Sequence, residues 1–402
     1  MNTNIESLYQ IAQKPTRTIV GLMSGTSLDG LDVALCAISG SGTNTVVQLK
    51  EFETIAYSEE VKTEIRKVFA KKTIDFQHLA LLNEWIGNLH ADLVLDCLKK
   101  WNIEATEVDL IASHGQTVMH APKILHHLAQ FPNATMQIGD GDHIAVRTGI
   151  TTISDFRQKH LAAGGEGAPL AVYGDYFLFG SEKENRIMLN IGGIGNFTFL
   201  PKNQNPEQVF VTDTGTGNTL IDAYTKLHFP ELSYDKDAQI AKKGTVNQDL
   251  LKELKNDPFF EGSFPKTTGP ELFNLDYIQK AIKKSNSQLI TVEDALATLT
   301  RFSAETIAEA IQYIVKQSEI AQDELTLYVS GGGLHNPLLM NYLQDLLACS
   351  FKNTSELGIL GDAKEAVLFA VLANETVAGG KTVFGSKKGV PSVTMGKISF
   401  PN

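Results

Sequence analysis

Asp213 heads the run Asp213-Thr214-Gly215-Thr216-Gly217-Asn218, where a single carboxylate precedes alternating hydroxyl and glycine residues. A carboxylate placed where a strand opens into glycine turns can take a proton from water, and such general-base work contributes roughly 10²–10⁴ in rate. The competing role is structural, an Asx-turn or a cap for a helix expected over Leu220–Leu227. Three other runs share this small-residue character: Ser24-Gly25-Thr26-Ser27-Leu28-Asp29-Gly30-Leu31-Asp32, Gly192-Gly193-Ile194-Gly195-Asn196 and Ser330-Gly331-Gly332-Gly333. Glycine lets the main chain approach a ligand closely, so backbone N–H groups and hydroxyls in these runs can cradle an anion. The first run is not a Walker A loop, because no Gly-Lys-Ser/Thr follows it. Asp29 and Asp32 cannot face phosphate directly without like-charge repulsion. Any role for them runs through Mg²⁺ and water, and the plain role of Asp29 is that of a turn residue in Asp29-Gly30.

These runs need rigid elements behind them. Ile19–Met23 and Leu31–Leu35 read as the strands of a β-hairpin, and Thr45–Ile55 as a third antiparallel strand. Glu59–Ala70 and Phe76–Lys100 read as helices, the second with Leu79, Leu82, Trp85, Ile86, Leu89, Leu93 and Cys97 on one packing face. Asp109–Ala112 is a buried strand ending in Ser113-His114-Gly115-Gln116-Thr117. Thr151–Phe156 is another, followed by Arg157, the loop Gly164-Gly165-Glu166-Gly167-Ala168-Pro169 and a helix from Pro169 to Phe179.

After the charged stretch Ser181–Arg186 the pattern restarts, with strands over Ile187–Ile191, Phe197–Leu200 and Val209–Thr212. This internal echo implies two similar halves. The first spans 1–182 and the second 183–362, with a polar insertion at about 228–290 that contains Pro265-Lys266-Thr267-Thr268-Gly269. Ala295–Val315 reads as a long helix with Leu296, Leu299, Ser303, Ile307 and Ile314 inward. Leu325–Val329 reads as a buried strand and Asn336–Leu347 as a helix. An apolar helix over about 363–377 is expected to pack back on the first half, and Lys381–Asn402 to be irregular.

Composition narrows the partners. A formal charge of −11 argues against nucleic acid or an anionic membrane as the main partner. Cys36, Cys97 and Cys349 are far apart and odd in number, which fits buried thiols in a reducing compartment. Met1–Arg17 lacks an apolar signal core, and the longest apolar run, Ala366–Ala373, is too short to span a bilayer. The expectation is a cytoplasmic protein.

Two strand–glycine-turn–strand units with a distal Ser-Gly-Gly-Gly loop resemble the actin-like ATPase and sugar-kinase superfamily. That resemblance implies an α/β fold of two ribonuclease-H-like domains around a hinged nucleotide cleft. Within the superfamily, nine stretches resemble anhydro-N-acetylmuramic acid kinases: Gly21–Leu35, Ser113–Thr117, Gln137–Gly139, Asp155–Arg157, Ala162–Leu170, Asn190–Asn196, Asp213–Asn218, Ser330–Asn336 and Glu365–Ala373. The family implies an enzyme that uses ATP and water to open 1,6-anhydro-N-acetylmuramic acid and phosphorylate O6, with Mg²⁺, as a homodimer. It implies Asp213 as general base. ATP contacts fall at Gly25, Thr26, Ser27, Leu28, Asp29, Gly30, Leu31, Asp32, Gly192, Gly193, Gly215, Gly217, Asn218, Gly331, Gly332 and Gly333. Sugar contacts fall at His114, Gln116, Thr117, Arg157, Gly165 and Glu365, and Asp29 is the metal candidate, through water.

The same residues have plainer readings: hydrogen-bonded structure for His114, an ion pair for Arg157, a helix N-terminal cap for Glu365. The chain departs from the family pattern at His160, Glu166, Asp175 and Pro270, mainly on the acceptor side. A kinase of another amino or anhydro sugar, and a non-catalytic actin-like nucleotide clamp, stay open as alternatives.

Overall fold

The computed structural model describes residues 2–168, 170–359, 361–380, 384 and 390–402. The chain divides into two compact units, Met1–Gly180 with Gly358–Asn402, and Ser181–Leu357. Each is an α/β unit built on one sheet.

In the first unit, helix α1 (Thr3–Gln13) leads into β1 (Thr16–Ser24), β2 (Gly30–Ser39) and β3 (Val46–Ala56). Then come α2 (Glu59–Arg66), α3 (Phe76–Lys100), β4 (Leu110–Ala121), α4 (Lys123–His126), β5 (Ala134–Ile138), α5 (Gly141–Thr148), β6 (Thr152–Ser154), α6 (Phe156–Ala162) and α7 (Ala171–Phe179). In the second unit follow β7 (Asn185–Ile191), β8 (Ile194–Leu200), β9 (Phe210–Thr216), α8 (Thr219–His228), α9 (Gln248–Leu254), α10 (Pro258–Glu261), α11 (Leu275–Lys284), α12 (Val292–Gln317), β10 (Leu325–Ser330), α13 (Pro337–Leu346) and β11 (Ser350–Asn353). The first unit is completed by α14 (Lys364–Ala378) and β12 (Lys397–Ser399).

The two sheets repeat one plan. The first runs β12-β6-β4-β1-β2-β3, with β5 added on β4, and the second runs β11-β10-β7-β8-β9. In each, three consecutive strands form an antiparallel meander, and two more join parallel to the first of them. This order is that of a ribonuclease-H-like unit, repeated as the sequence echo implied. Parallel neighbours need covered faces, and the helices supply them. In the first unit Val20 and Leu22 on β1 share a buried core with Leu82, Ile86 and Val94 of α3. α14 lies on β1, β2 and β4. Its approach is so close that a Cβ at Gly21 would fall 2.0 Å from the carbonyl oxygen of Ala366, which explains a glycine in mid-strand.

Several boundaries differ from those read off the sequence. β4 does not stop at Ala112 but carries Ser113–Thr117 within the strand and runs on to Ala121, because β5 pairs with its far end. β6 ends at Ser154, since Asp155 turns into the left-handed region at φ 58°, and Phe156 and Arg157 open α6 instead of extending the strand. β9 runs through to Thr216, so Asp213 lies inside the strand. The segment 228–290 is less polar in function than in composition: Leu250, Leu254, Phe273 and Ile278 are buried in a core with α12. α7 begins at Ala171, and Pro169 lies outside the described residues, as do 381–383 and 385–389. Within the tail expected to be irregular, Lys397–Ser399 forms the edge strand β12 on β6.

Candidate active site

The first glycine-rich run is the connection between β1 and β2. Thr26, Ser27 and Asp29 are exposed, while Leu28 and Leu31 turn their side chains into the core. The Leu28 N–H donates to the Gly25 carbonyl at 3.4 Å, and Leu28 itself adopts φ 61°. A Cβ at Gly25 would make only an ordinary contact, with Ser27 Oγ at 3.6 Å, whereas a Cβ at Gly30 would strike the Ile55 carbonyl oxygen at 2.1 Å. The two glycines serve different ends: Gly25 leaves room above the loop, and Gly30 lets β2 lie against β3. Leu28, Gly30 and Leu31 can therefore meet a ligand only through their backbone.

Asp32 accepts a 2.6 Å hydrogen bond from Thr54. Burial raises its carboxyl above the usual range, the Thr54 bond opposes that rise, and neighbouring Asp362 adds to it. Among the described residues no group of three or more His, Cys, Asp or Glu could hold a metal. A hydrated divalent cation shared with phosphate needs only one or two carboxylates, and the crowding of Asp32 by Asp362 is the kind such a cation relieves.

His114 and Arg157 come together. The Arg157 Nε donates to His114 Nε2 at 2.8 Å, and its Nη1 donates to the Gly167 carbonyl at 2.6 Å. Burial, with Arg157 adding to it, pushes the imidazole down to about 3, so His114 is neutral and serves as an acceptor. It is not placed for acid or base work at neutral pH. Burial likewise brings the Arg157 guanidinium down to about 10, partly offset by Glu365. Glu365 is accessible on the first turn of α14, and loss of hydration holds its carboxyl high against the pull of Arg157 and Lys364.

The loop 164–168 folds around His160, which is fully buried. The Gly167 N–H donates to His160 Nδ1 at 3.0 Å, and a Cβ at Gly165 would lie 2.2 Å from the ring. Gly165 is thus a packing glycine, and His160 is the post the loop winds on. Asp175 pairs with Lys364 at 2.7 Å beneath α14, a structural ion pair next to Glu365. Glu166 and Pro270 are exposed.

Gln116 corrects the sequence reading. It is fully buried, its amide donates to the carbonyls of Gly25 and Thr117, and its Oε1 accepts from Ser24, leaving nothing to offer a sugar. Thr117 accepts from Gln137 at 3.1 Å. A cavity of about 380 Å³ adjoins His114 and is lined also by Ser113, Gln137, Asp140, Asp155 and Lys397.

In the second unit the three glycine runs meet one another. The N–H groups of Gly217, Asn218 and Thr219 donate to the carbonyls of Gly192 and Gly193 at 2.7–3.1 Å. The Asn218 side chain donates to Gly192 at 3.0 Å. Gly331, at φ 84°, and Gly333 press against Ile191, and a Cβ at Gly332 would lie 3.8 Å from Asn218 Nδ2. A Cβ at Gly192 would make only ordinary contacts, with Asn190 Nδ2 at 3.6 Å and the Ile194 carbonyl oxygen at 3.7 Å. Gly215 behaves otherwise: at φ 130° its bare face looks toward Phe260 and Thr306, so its role is backbone conformation and packing, not room for a ligand.

Asp213 pairs across the sheet with Asn196, beside an irregularity in the β8–β9 register. Its Oδ2 accepts from the Thr268 N–H at 2.9 Å, and its own N–H donates to Lys266. Oδ1 makes no hydrogen bond among the described residues. It caps no helix, since Asn218 precedes α8. Burial raises its pKa to about 6, opposed by the Thr268 N–H and aided by Glu271. A half-buried carboxylate with one oxygen anchored and the other uncommitted can accept a proton near neutral pH. Pro265–Gly269 reads in the sequence only as part of the polar insertion, and nothing local in it points to Asp213.

A family model described as anhydro-N-acetylmuramic acid kinase matches residues 17–398. The chain is 55% identical over 405 residues to the anhydro-N-acetylmuramic acid kinase of Pseudoalteromonas atlantica, covering 100% of both chains. It is 39% identical over 400 residues to that of Caldanaerobacter subterraneus subsp. tengcongensis, covering 98% of this chain and 100% of that one. Among solved structures, the activator of the 2-hydroxyisocaproyl-CoA dehydratase from Clostridium difficile with bound ADPNP aligns over 90% of this chain and 95% of its own, at a TM-score of 0.39 and 12% identity.

Proposed function

From the premise that the chain belongs to the anhydro-N-acetylmuramic acid kinase family, we propose that it uses ATP and water to convert 1,6-anhydro-N-acetylmuramic acid into N-acetylmuramic acid 6-phosphate and ADP. The single observation that carries the chemistry is Asp213, with Oδ2 held by Thr268, Oδ1 uncommitted and a pKa of about 6. An anhydro sugar has no free 6-hydroxyl, so water must open the ring at the anomeric carbon. Asp213 takes a proton from that water as the C1–O6 bond breaks, and the departing O6 forms its new bond to the γ-phosphorus of ATP while the ADP oxygen leaves.

The phosphates are assigned to the exposed backbone and hydroxyls of Gly25–Asp29 and to the turns at Gly192, Gly193, Gly217 and Asn218, and the adenosine to Gly331–Gly333. Mg²⁺, when bound with ATP, would neutralise phosphate charge, with Asp29 and Asp32 as its water-mediated neighbours. Arg157 and Glu365, with the backbone near His114 and Thr117, are assigned to the sugar. Arg157 arrives there already oriented by His114 and Gly167.

ADP release from ATP, followed with 1,6-anhydro-N-acetylmuramic acid, N-acetylmuramic acid and N-acetylglucosamine in turn, tests this reading. Turnover with the anhydro sugar alone supports it. Brisk turnover of the sugars that own a free 6-hydroxyl, with none of the anhydro form, means an ordinary kinase.

A further inference from the structure

A buried chain of side-chain hydrogen bonds ends on the first glycine loop. Tyr57 OH lies 2.7 Å from His90 Nε2 and donates to Ser24 Oγ at 2.9 Å. Ser24 Oγ donates to Gln116 Oε1 at 2.5 Å, and Gln116 Nε2 donates to the Gly25 carbonyl at 3.0 Å. Tyr57 is 5% exposed, and Ser24, His90 and Gln116 are 0% exposed.

The direction of every proton in this chain follows from one end. Gln116 Nε2 faces two carbonyls, those of Gly25 and Thr117, so its Oε1 must be the atom toward Ser24. Ser24 therefore donates to Gln116, which leaves its oxygen to accept from Tyr57. The Tyr57 proton is then committed, and His90 must donate through Nε2. His90 Nδ1 has no partner among the described residues and carries the bare lone pair. A second proton there would find no acceptor, and burial pushes the imidazole down to about 4. The polarity of the chain is thus constant across neutral pH.

We propose that Tyr57 and His90 are positioning residues for nucleotide binding, holding the Gly25–Thr26 peptide so that its N–H faces the phosphates. The geometry behind this is elementary. In a trans peptide the C=O and N–H point in opposite directions. Gln116 draws the Gly25 carbonyl inward, so the Thr26 N–H points outward, and it makes no hydrogen bond among the described residues. Thr26 itself is exposed, and a Cβ on Gly25 would meet nothing nearer than Ser27 Oγ at 3.6 Å. Without the chain, the Gly25 carbonyl keeps only the long 3.4 Å hydrogen bond from the Leu28 N–H, and glycine tolerates either orientation of the peptide. The proposal rests on reading Gly25–Asp29 as the phosphate loop.

Calorimetric titration with ATP and with adenosine, which has the same base and sugar but no phosphate, tests it on the full-length protein. Tyr57→Phe keeps the ring in the core and removes only the hydroxyl, and it should weaken ATP about tenfold while adenosine stays within about twofold. His90→Gln retains a side-chain N–H donor and should bind ATP within about twofold of wild type; His90→Leu should match Tyr57→Phe. Unchanged ATP affinity in Tyr57→Phe, or equal weakening of ATP and adenosine, overturns the proposal and leaves the chain a core feature. Wild-type protein that binds ATP no more tightly than adenosine, or Gly25→Val with wild-type ATP affinity, overturns the phosphate reading and the proposal with it.

Discussion

The backbone N–H of Thr268 donates a 2.9 Å hydrogen bond to Asp213 Oδ2, joining two positions 55 residues apart in the chain. The contact is reinforced by the Asp213 N–H on the Lys266 carbonyl at 3.0 Å. Lys266 is itself held by the Phe260 carbonyl and lies 4.5 Å over the Phe264 ring. A loop within an insertion thus fixes one oxygen of the carboxylate and leaves the other for chemistry.

Asp213→Asn keeps this shape and removes the basicity. It is expected to bind ATP normally and to lose at least about 10²-fold in kcat, measured as steady-state ADP release with the anhydro sugar. Activity within a few-fold of wild type would mean that Asp213 only ties β9 to the loop.

The pH dependence follows from the raised pKa. Asp213 must be ionised to act, so kcat/KM should fall below about pH 6 with unit slope in log–log form. Stability runs the other way. A carboxyl raised in the folded state from an unfolded value of about 3.9 contributes stability that is fully present below pH 3.9 and lost as pH rises through about 6. Asp213→Asn should therefore raise the melting temperature at pH 8 and leave it nearly unchanged at pH 4, in thermal scans across that range.

Gly25→Val and Gly215→Val should separate two kinds of glycine. A Cβ at Gly25 would clash with nothing, its nearest neighbour being Ser27 Oγ at 3.6 Å, so its variant should fold and lose ATP affinity by about tenfold or more, read by calorimetry. Gly215 combines φ 130° with a bare face toward Phe260 and Thr306, so its variant should be destabilised by about 2 kcal/mol or more in urea.

Arg157→Leu removes a guanidinium that His114 and Gly167 orient. The expected result is a KM for the sugar raised by about 10-fold or more, with the KM for ATP within about twofold. Arg157→Lys should rescue little, because an ammonium cannot reproduce the planar fork.

The meanders, the long helices and the repeat of one half in the other were legible because apolar periodicity marks buried strands and faces directly. β1 and α12 are cases in point: the apolar runs and the inward Leu296, Leu299 and Ile307 stand where the structure buries them. What escaped were features set by partners remote in sequence. β4 looked as if it ended at Ala112 because its continuation is justified only by β5. Gln116 looked like a sugar contact because nothing local shows Ser24 and Gly25 consuming its amide. Tyr57 and His90 carried no motif, and only the packing of α3 beneath the hairpin brings them together. Gly215 and Gly25 look alike in sequence and differ only in which way the missing side chain would point.

The central claim is that water becomes part of the sugar while O6 takes the phosphate. Turnover in ¹⁸O-water with 1,6-anhydro-N-acetylmuramic acid and ATP, read promptly by mass spectrometry of the product, tests it most directly. The account predicts one label at C1 and none in the new phosphate group, and Asp213→Asn should remove that labelled product. Label in the transferred phosphate, or an unlabelled C1 at early times, would contradict it.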